Sequence, residues 1–392
     1  MLLWAQTDSS YAKYRNIDTV DKRDLIDIAR SIVHIPSRKI SADENKKIYF
    51  SFLPVSSSGA TDGKMLITST TAGFYLGDRR RTYLSSINFT PYLNFKGRYG
   101  LPIRSNIWLR DNNFNIVGDT RMLVYPQYTW GLGGGQPSTN KFLVDYKYVR
   151  FYQSALKRIT PYFFAGIGYY LDYYIDVESD NSRNITLRRF TNYQFGTEPN
   201  KNSFSSGPTV NLLYDTRNNS INPLPGWYVN VVYRNSLKRL GSVDNWQSLY
   251  LDVRKYHSLT NAPRKNMLAF WFYYWTSLTP GTPYLNLPSI GMDPYQRSGR
   301  GIEQNRYRGE GLIYLETEYR YDLTQNGLLG FIAFANVNSA SQPNSHTFRH
   351  FNPAAGAGLR VKFNKKSDTN IGIDYGRSRD YSSIRINLGE TF

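Results

Sequence analysis

Glu316, Glu318 and Arg320 stand at alternate positions in the stretch IYLETEYRYD, residues 313–322. On an extended strand, alternate residues share a face and sit ~7 Å apart. Two carboxylates at that spacing are the pair a glycoside hydrolase uses as acid and base. The next residue on that face is a guanidinium, and an arginine beside two carboxylates makes an ion network rather than a proton-transfer couple. The other face, Ile313, Leu315, Thr317, Tyr319 and Tyr321, is apolar and aromatic. Just upstream runs SGRGIEQNRYRGEG, residues 298–311, a glycine-rich basic loop with no hydrophobic period.

Other reactive groups are few. The absence of cysteine removes thiol catalysis, disulfides and zinc–thiolate sites together. His346 and His350 lie four apart in HTFRH, but the neighbouring SQPNS offers no helix to bring them together, so no metal site is expected. WGLGGGQPSTNK, residues 130–141, lacks the strand, Lys-Ser and helix context of a phosphate loop. No Gly-x-Ser-x-Gly elbow and no His-Glu-x-x-His occurs. The expectation is a protein that is not an enzyme and holds no cofactor.

What positions the charged face is a period of two that starts near Lys46 and continues to the last residue. SLYLDVRKY (248–256), AGLRVKFN (357–364) and TNIGIDYG (369–376) each set an apolar face against one carrying Asp, Arg or Lys in mid-strand. A soluble sandwich also alternates. Three features favour a membrane barrel. Mid-strand charges suit a wet lumen, and aromatics cluster near strand ends, as in YLGDRRRTY (75–83) and GIGYYLDYYIDVE (166–178). Connections also alternate in length, the short NGL turn after Asp322 against the stretches 176–205 and 280–308. The expected fold is all-β, a single-chain antiparallel transmembrane β-barrel of about sixteen strands.

Composition agrees. The chain has 392 residues, 16% of them aromatic, with 33 tyrosines. No run reaches the ~18–20 apolar residues of a membrane helix; MLAFWFYYW, residues 267–275, has the length of a barrel strand. The net charge of +18 comes without a stacking platform, zinc finger or basic helix, which excludes nucleic acid and favours anionic lipid headgroups, lipopolysaccharide included. Residues 1–6 resemble the end of a signal peptide. In 7–45, Leu25, Ile28, Ala29, Ile32 and Val33 share one helical face before Pro36, so a short amphipathic helix at the periplasmic rim or in the lumen is expected. Residues 46–392 form the barrel. Its last segment, YSSIRINLGETF, sets Ile384, Ile386, Leu388 and Phe392 against Arg385, Asn387 and Gly389.

Together these segments resemble the BamA/TamA superfamily of outer-membrane assembly and secretion barrels (the bacterial surface antigen family), over residues 46–392. GRGIEQNRYRG is similar to the family's inward-folded loop, with Arg300 and Gly301 matching and Gly299 and Ile302 departing from the usual Val and aromatic. YLETEYR resembles the following strand, which implies Glu318 as the acid receiving the loop arginine. GLLGFIAFANVNSA resembles the next strand, with Asn336 where the family commonly has Asp; the lost charge implies a weaker latch. LLYDTRNNSINPLPGWYVNV is similar to the family hairpin at Asp215, Arg217, Pro223 and Gly226. The pattern looks most like short Bacteroidetes-type forms without POTRA modules.

The resemblance implies assisted insertion or translocation of proteins through a weak seam between the first and last strands. Arg300, Gly301 and Glu318 would be the latch, and a structural ion pair that merely fixes the loop is the plainer alternative. The strand from Ile384 to Phe392 would form the seam and an assembly signal, with Gly372 and Gly376 softening the penultimate strand. Arg297, Arg306 and Arg308 are expected in solvent or against lipopolysaccharide. Partners would be client outer-membrane proteins or a periplasmic protein supplying POTRA modules in trans to a larger complex, of which the barrel is a subunit unless it works as a monomer. A passive, anion-favouring channel is the third possibility, and a loop inside the lumen argues against it.

Overall fold

The computed structural model describes residues 22–34, 48–59, 63–78, 81–94, 97–179, 185–199, 201–217, 221–261, 264–343, 345–365 and 368–392. The leader end expected at 1–6 lies outside them. Period-two alternation becomes strand throughout: β1 (Ile48–Gly59), β2 (Gly63–Phe74), β3 (Ser85–Phe89), β4 (Tyr92–Asn94), β5 (Tyr99–Trp108), β6 (Phe114–Val124), β7 (Gln127–Thr129), β8 (Phe142–Thr160) and β9 (Phe163–Ser179). They continue as β10 (Ser203–Asp215), β11 (Gly226–Ser236), β12 (Trp246–Ser258), β13 (Asn266–Ser277), β14 (Gly311–Asp322), β15 (Leu329–Ala340), β16 (Asn352–Asn364), β17 (Thr369–Ser378) and β18 (Ser382–Leu388).

Neighbouring segments pair antiparallel, apart from β3 with β4 and β6 with β7. β3 and β4 both lie between β2 and β5, interrupted at Pro91. β6 and β7 both pair with β8, interrupted at Pro126. Proline has no N–H to give a ladder, so each break is a gap within one stave. The segments therefore make sixteen staves, as the sequence pattern predicts. The sheet curls until β1 and β18 come within 8 Å, Cα to Cα. Among the described residues no hydrogen-bonded ladder joins them: β1 pairs with β2, and β18 with β17. β18 is also short, 7 residues against the ~9–11 that cross a bilayer.

Side chains sort by face as alternation demands. Leu315 on the outside of β14 is 48% exposed, whereas Glu318 beside it is 0% exposed. Val210 and Leu212 of β10, Ile373 and Tyr375 of β17 and Ile384 of β18 add to the outward apolar surface. Inside, Tyr256, Met267, Trp271, Tyr273 and Tyr314 pack with Ile290, Ile302 and Phe392, so this side of the lumen is a packed core.

At one end the connections 161–162, 323–328 and 365–368 are short; at the other, 130–141, 278–310 and 341–351 are long, while 379–381 between β17 and β18 is short. Helix α1 (Leu25–Ile32) docks at the short-connection end. Asp24 and Asp27 form its capping box. The same two carboxylates hold the β16–β17 turn, Asp24 Oδ2 accepting from Lys365 N at 2.9 Å and Asp27 Oδ2 from Lys365 Nζ at 2.7 Å. The helix lies on the rim. Ile32 and Val33 of its apolar face are exposed.

Candidate functional site

The β13–β14 connection, residues 278–310, enters the lumen and crosses it. Arg300 sits between two glycines of positive φ, Gly299 at 71° and Gly301 at 80°. The turn needs both, since such angles are strained for other residues. A side chain at 301 would also strike the β17 backbone, its Cβ 2.5 Å from Arg377 N and 2.7 Å from the Gly376 carbonyl carbon. Gly376 permits the same approach from the other side, its own Cβ position lying 2.7 Å from Gly301 N. The loop thus rests backbone to backbone on β17. Val at 299, usual in the family this loop resembles, would meet Ile290 Cγ1 at 2.8 Å, so Gly299 fits the turn built here.

That approach aims the Arg300 guanidinium at three carboxylates. Nη2 is bonded to Glu316 Oε1 and Glu318 Oε2, and Nη1 donates to Asp374 Oδ2 of β17 at 3.0 Å. The guanidinium also lies 3.7 Å from the ring centre of Phe334. Arg320 joins through Glu318 Oε1 at 2.6 Å. Arg360 of β16 bonds Asp374 and reaches Glu390 Oε2 at 2.8 Å. Three arginines face four carboxylates, nearly all removed from solvent. A buried ion network of this kind is held by its full set of partners; removing one member leaves an uncompensated charge.

Glu318 accepts from the Arg300 guanidinium. Nothing in the resemblance points to Glu316, Asp374, Arg360 or Glu390. The i, i+2 spacing of Glu316 and Glu318 signals a shared face, but nothing local in TNIGIDYG marks Asp374 as facing a loop 74 residues away. Asn336 donates its amide to the Arg300 carbonyl at 3.0 Å instead of accepting from the guanidinium. Asp374 supplies a third carboxylate to Arg300 beside the two glutamates.

Two expectations need correction. Phe392 is not on the outward face with Ile384 and Ile386. The strand stops at Leu388, Gly389 adopts φ 85°, and the residues beyond it turn into the lumen. Glu390 N donates to Ile221 O at 2.9 Å, and Phe392 packs 5.2 Å from Trp271 beneath Arg320. The positive φ breaks the alternation that placed Phe392 outside. Nor do the loop arginines face solvent. Arg306 and Arg308 are buried, Arg308 donating to Tyr284 O at 2.8 Å, and half-buried Arg297 donates to Glu390 O at 2.8 Å. The loop folds on itself and on the C-terminal segment, so its guanidiniums bind carbonyls.

On the far wall the loop is held differently. Arg104 of β5 donates to Tyr295 O at 3.1 Å, Arg121 of β6 to Pro294 O at 2.7 Å, and Tyr125 to Gln304 Oε1 at 2.7 Å. Lys141 pairs with Glu303 at 2.7 Å. The hairpin residues Asp215 and Arg217 form their own bidentate pair at 2.9 and 2.8 Å, apart from the Arg300 network. Pro223 and Gly226 shape that turn, whose Ile221 receives the C-terminal segment.

No protein-family model and no curated protein matches the chain. Solved structures do. BamA from Haemophilus ducreyi lacking POTRA domains 1–3 matches at TM-score 0.53 and 13% identity, over 97% of this chain and 80% of that one. CdiB from Acinetobacter baumannii matches at TM-score 0.55 and 13% identity over 88% of this chain, and CdiB from Escherichia coli at 0.57 and 10% over 87%. The chain spans 60% and 62% of the two CdiB chains. At these identities the likeness is one of fold, and that fold is a single-chain antiparallel transmembrane β-barrel.

Proposed function

We propose that this chain is an outer-membrane barrel of the assembly and secretion superfamily, one that inserts proteins into that membrane or passes them across it. The observation that carries the reading is the unladdered junction of β18 and β1. Two strand edges with unpaired backbone groups side by side offer a client strand somewhere to add. The shortness of β18 supports local thinning of the bilayer beside that edge. A lumen crossed by the 278–310 loop opposes a passive channel and turns traffic to the seam. The Arg300 network holds that loop to β17, one strand from the junction. Its role is a latch that keeps loop, penultimate strand and seam in one arrangement. Clients are unfolded outer-membrane or secreted chains, and the apolar belt faces lipid.

The test is reconstitution into liposomes with an unfolded outer-membrane barrel as client, folding being followed by protease protection. The chain has no cysteine of its own, so one placed in β1 and one in β18 give a clean cross-link. Wild type should accelerate client folding. Oxidation of the paired-cysteine variant should abolish the acceleration, and reduction restore it. A wild-type rate equal to that of empty liposomes would overturn the reading.

A further inference from the structure

The mouth at the long-connection end holds a cavity of about 360 Å³. That lies within the ~300–1,000 Å³ range of small-molecule sites. Four connections build it: 130–141, the stretch around short helix α2 (Leu187–Thr191), the exit of the lumenal loop at Gly309–Glu310, and the segment after β15. Its walls combine the rings of Trp130, Phe190 and Tyr193 with the amides of Asn140 and Gln342 and one carboxylate, Glu310. None of the described residues lining it is Lys or Arg, in a chain of net charge +18.

The walls are already set. Phe190 stacks on Phe142 at 4.4 Å, the Tyr193 hydroxyl donates to Thr282 O at 2.7 Å, and Trp130 Nε1 donates to Ser138 O at 2.9 Å. Trp130 is buried in the wall with Lys141 and Arg306 over its ring, so the half-buried rings of Phe190 and Tyr193 offer the space its apolar surface. Gly131 at φ 87° has nothing within 4 Å of where its Cβ would be. By contrast Gln342 Nε2 is buried without a hydrogen-bond partner among the described residues, a donor left for an occupant.

We propose that this cavity binds a neutral saccharide. A sugar hydroxyl both donates and accepts, and an amide offers both functions from one group. A carboxylate such as Glu310 accepts from hydroxyls, while aromatic rings take the C–H face of a pyranose. A phosphate or uronate would meet the Glu310 carboxylate, whose Oε2 lies 2.9 Å from His346 Nδ1, with no Lys or Arg among the described lining residues to offset it. A purely apolar ligand would leave the Gln342 donor and the Asn140 amide unpaired, which costs affinity. The site is independent of client handling. It takes from the proposed function only that this mouth faces outward.

The experiment uses the full chain in an amine-oxide detergent, since alkyl glycosides would compete. A panel of neutral hexose oligosaccharides is printed beside sialylated and phosphorylated ones, and hits are titrated by calorimetry. Neutral members should bind. Asn140→Ala and Gln342→Ala should each weaken them roughly fivefold to tenfold, and Phe190→Ala should do so at least as much. Each variant must keep the heat-modifiable mobility of a folded barrel; should Phe190→Ala lose it, the two amide variants carry the test. Absence of binding to every neutral glycan, preference for acidic or ammonium-bearing ligands, or binding that survives all three substitutions would overturn the proposal. Glycan binding without client folding would leave this site standing and remove the function proposed above.

Discussion

Two walls of one lumen hold the same loop by opposite means. On the β14–β17 side a single loop guanidinium enters a wall of carboxylates, three arginines meeting Glu316, Glu318, Asp374 and Glu390. On the β5–β11 side the wall itself is cationic. Arg104, Arg121, Arg150 and Arg234 share Asp119 and Asp172, and the loop answers with the backbone carbonyls of Pro294 and Tyr295, one ion pair, Lys141–Glu303, standing beside them. Charge-assisted bonds to a full acid set are strong and hard to replace one at a time, whereas bonds to neutral carbonyls are weaker and interchangeable. The loop is thus pinned at Arg300 and lightly braced at 294–296. Movement would begin at the far wall, with the Arg300 corner as pivot.

The sharpest way to break this contrast is Arg300→Ala, which leaves two glutamates and Asp374 without their shared cation. We expect a loss of about 3–5 kcal/mol, read as a lower temperature of heat-modifiable unfolding. Arg300→Lys should recover little, because one ammonium cannot span three carboxylates as a planar fork does. Gly301→Ala comes next: strain at positive φ and collision with β17 should cost about 1–3 kcal/mol and loosen the loop to protease. Asp374→Asn keeps two of the three acids around Arg300, and a loss of about 1–3 kcal/mol is expected. Combined with Arg300→Ala it should be far from additive. Arg104→Gln removes a cation from the wall that has too many, so the change should stay within about 1 kcal/mol of zero. A cost equal to that of Arg300→Ala would end the comparison.

The smallest effect lies outside the lumen. Lys365→Ala should release α1 while leaving barrel unfolding within about 1 kcal/mol of wild type, visible as faster amide exchange over 25–32. Burial pushes the Asp27 carboxyl up, but the hydrogen bond and charge of Lys365 outweigh it and hold it below its ordinary value. A depressed carboxylate contributes docking that is complete above its unfolded pKa and is lost as pH falls through the folded one. Helix release should therefore appear only below about pH 4, and salt should promote it at neutral pH.

Much of the barrel was legible because alternation is a local signal: Leu315 outside and Glu318 inside follow from spacing alone. Arg300, Gly301 and Glu318 could be named only through a resemblance to a known loop and strand. Asp374 and Glu390 were not, since strands 16 to 18 had to be folded around the loop before their charges had an address. The direction of Phe392 was hidden for another reason. One glycine at φ 85° resets the face of everything after it, and sequence spacing carries no record of that angle. Arg308 looked like a surface residue because its partners are carbonyls, which no sequence pattern displays.

The spread of the Arg300 network along the chain also sets a clock. Its members run from residue 300 to residue 390, and its braces reach back 191 residues to Arg104. Contacts of such sequence separation form late, because loop closure must precede the energy they return. A nascent chain that has delivered β14 but not β17 holds Arg300 and its two glutamates without Asp374, and the loop has no backbone to rest on. The network thus reports completion of this sheet: it reaches its full complement of charges only when β17 and Glu390 beyond β18 have arrived and the loop is already inside, making it a late checkpoint in the barrel's own biogenesis.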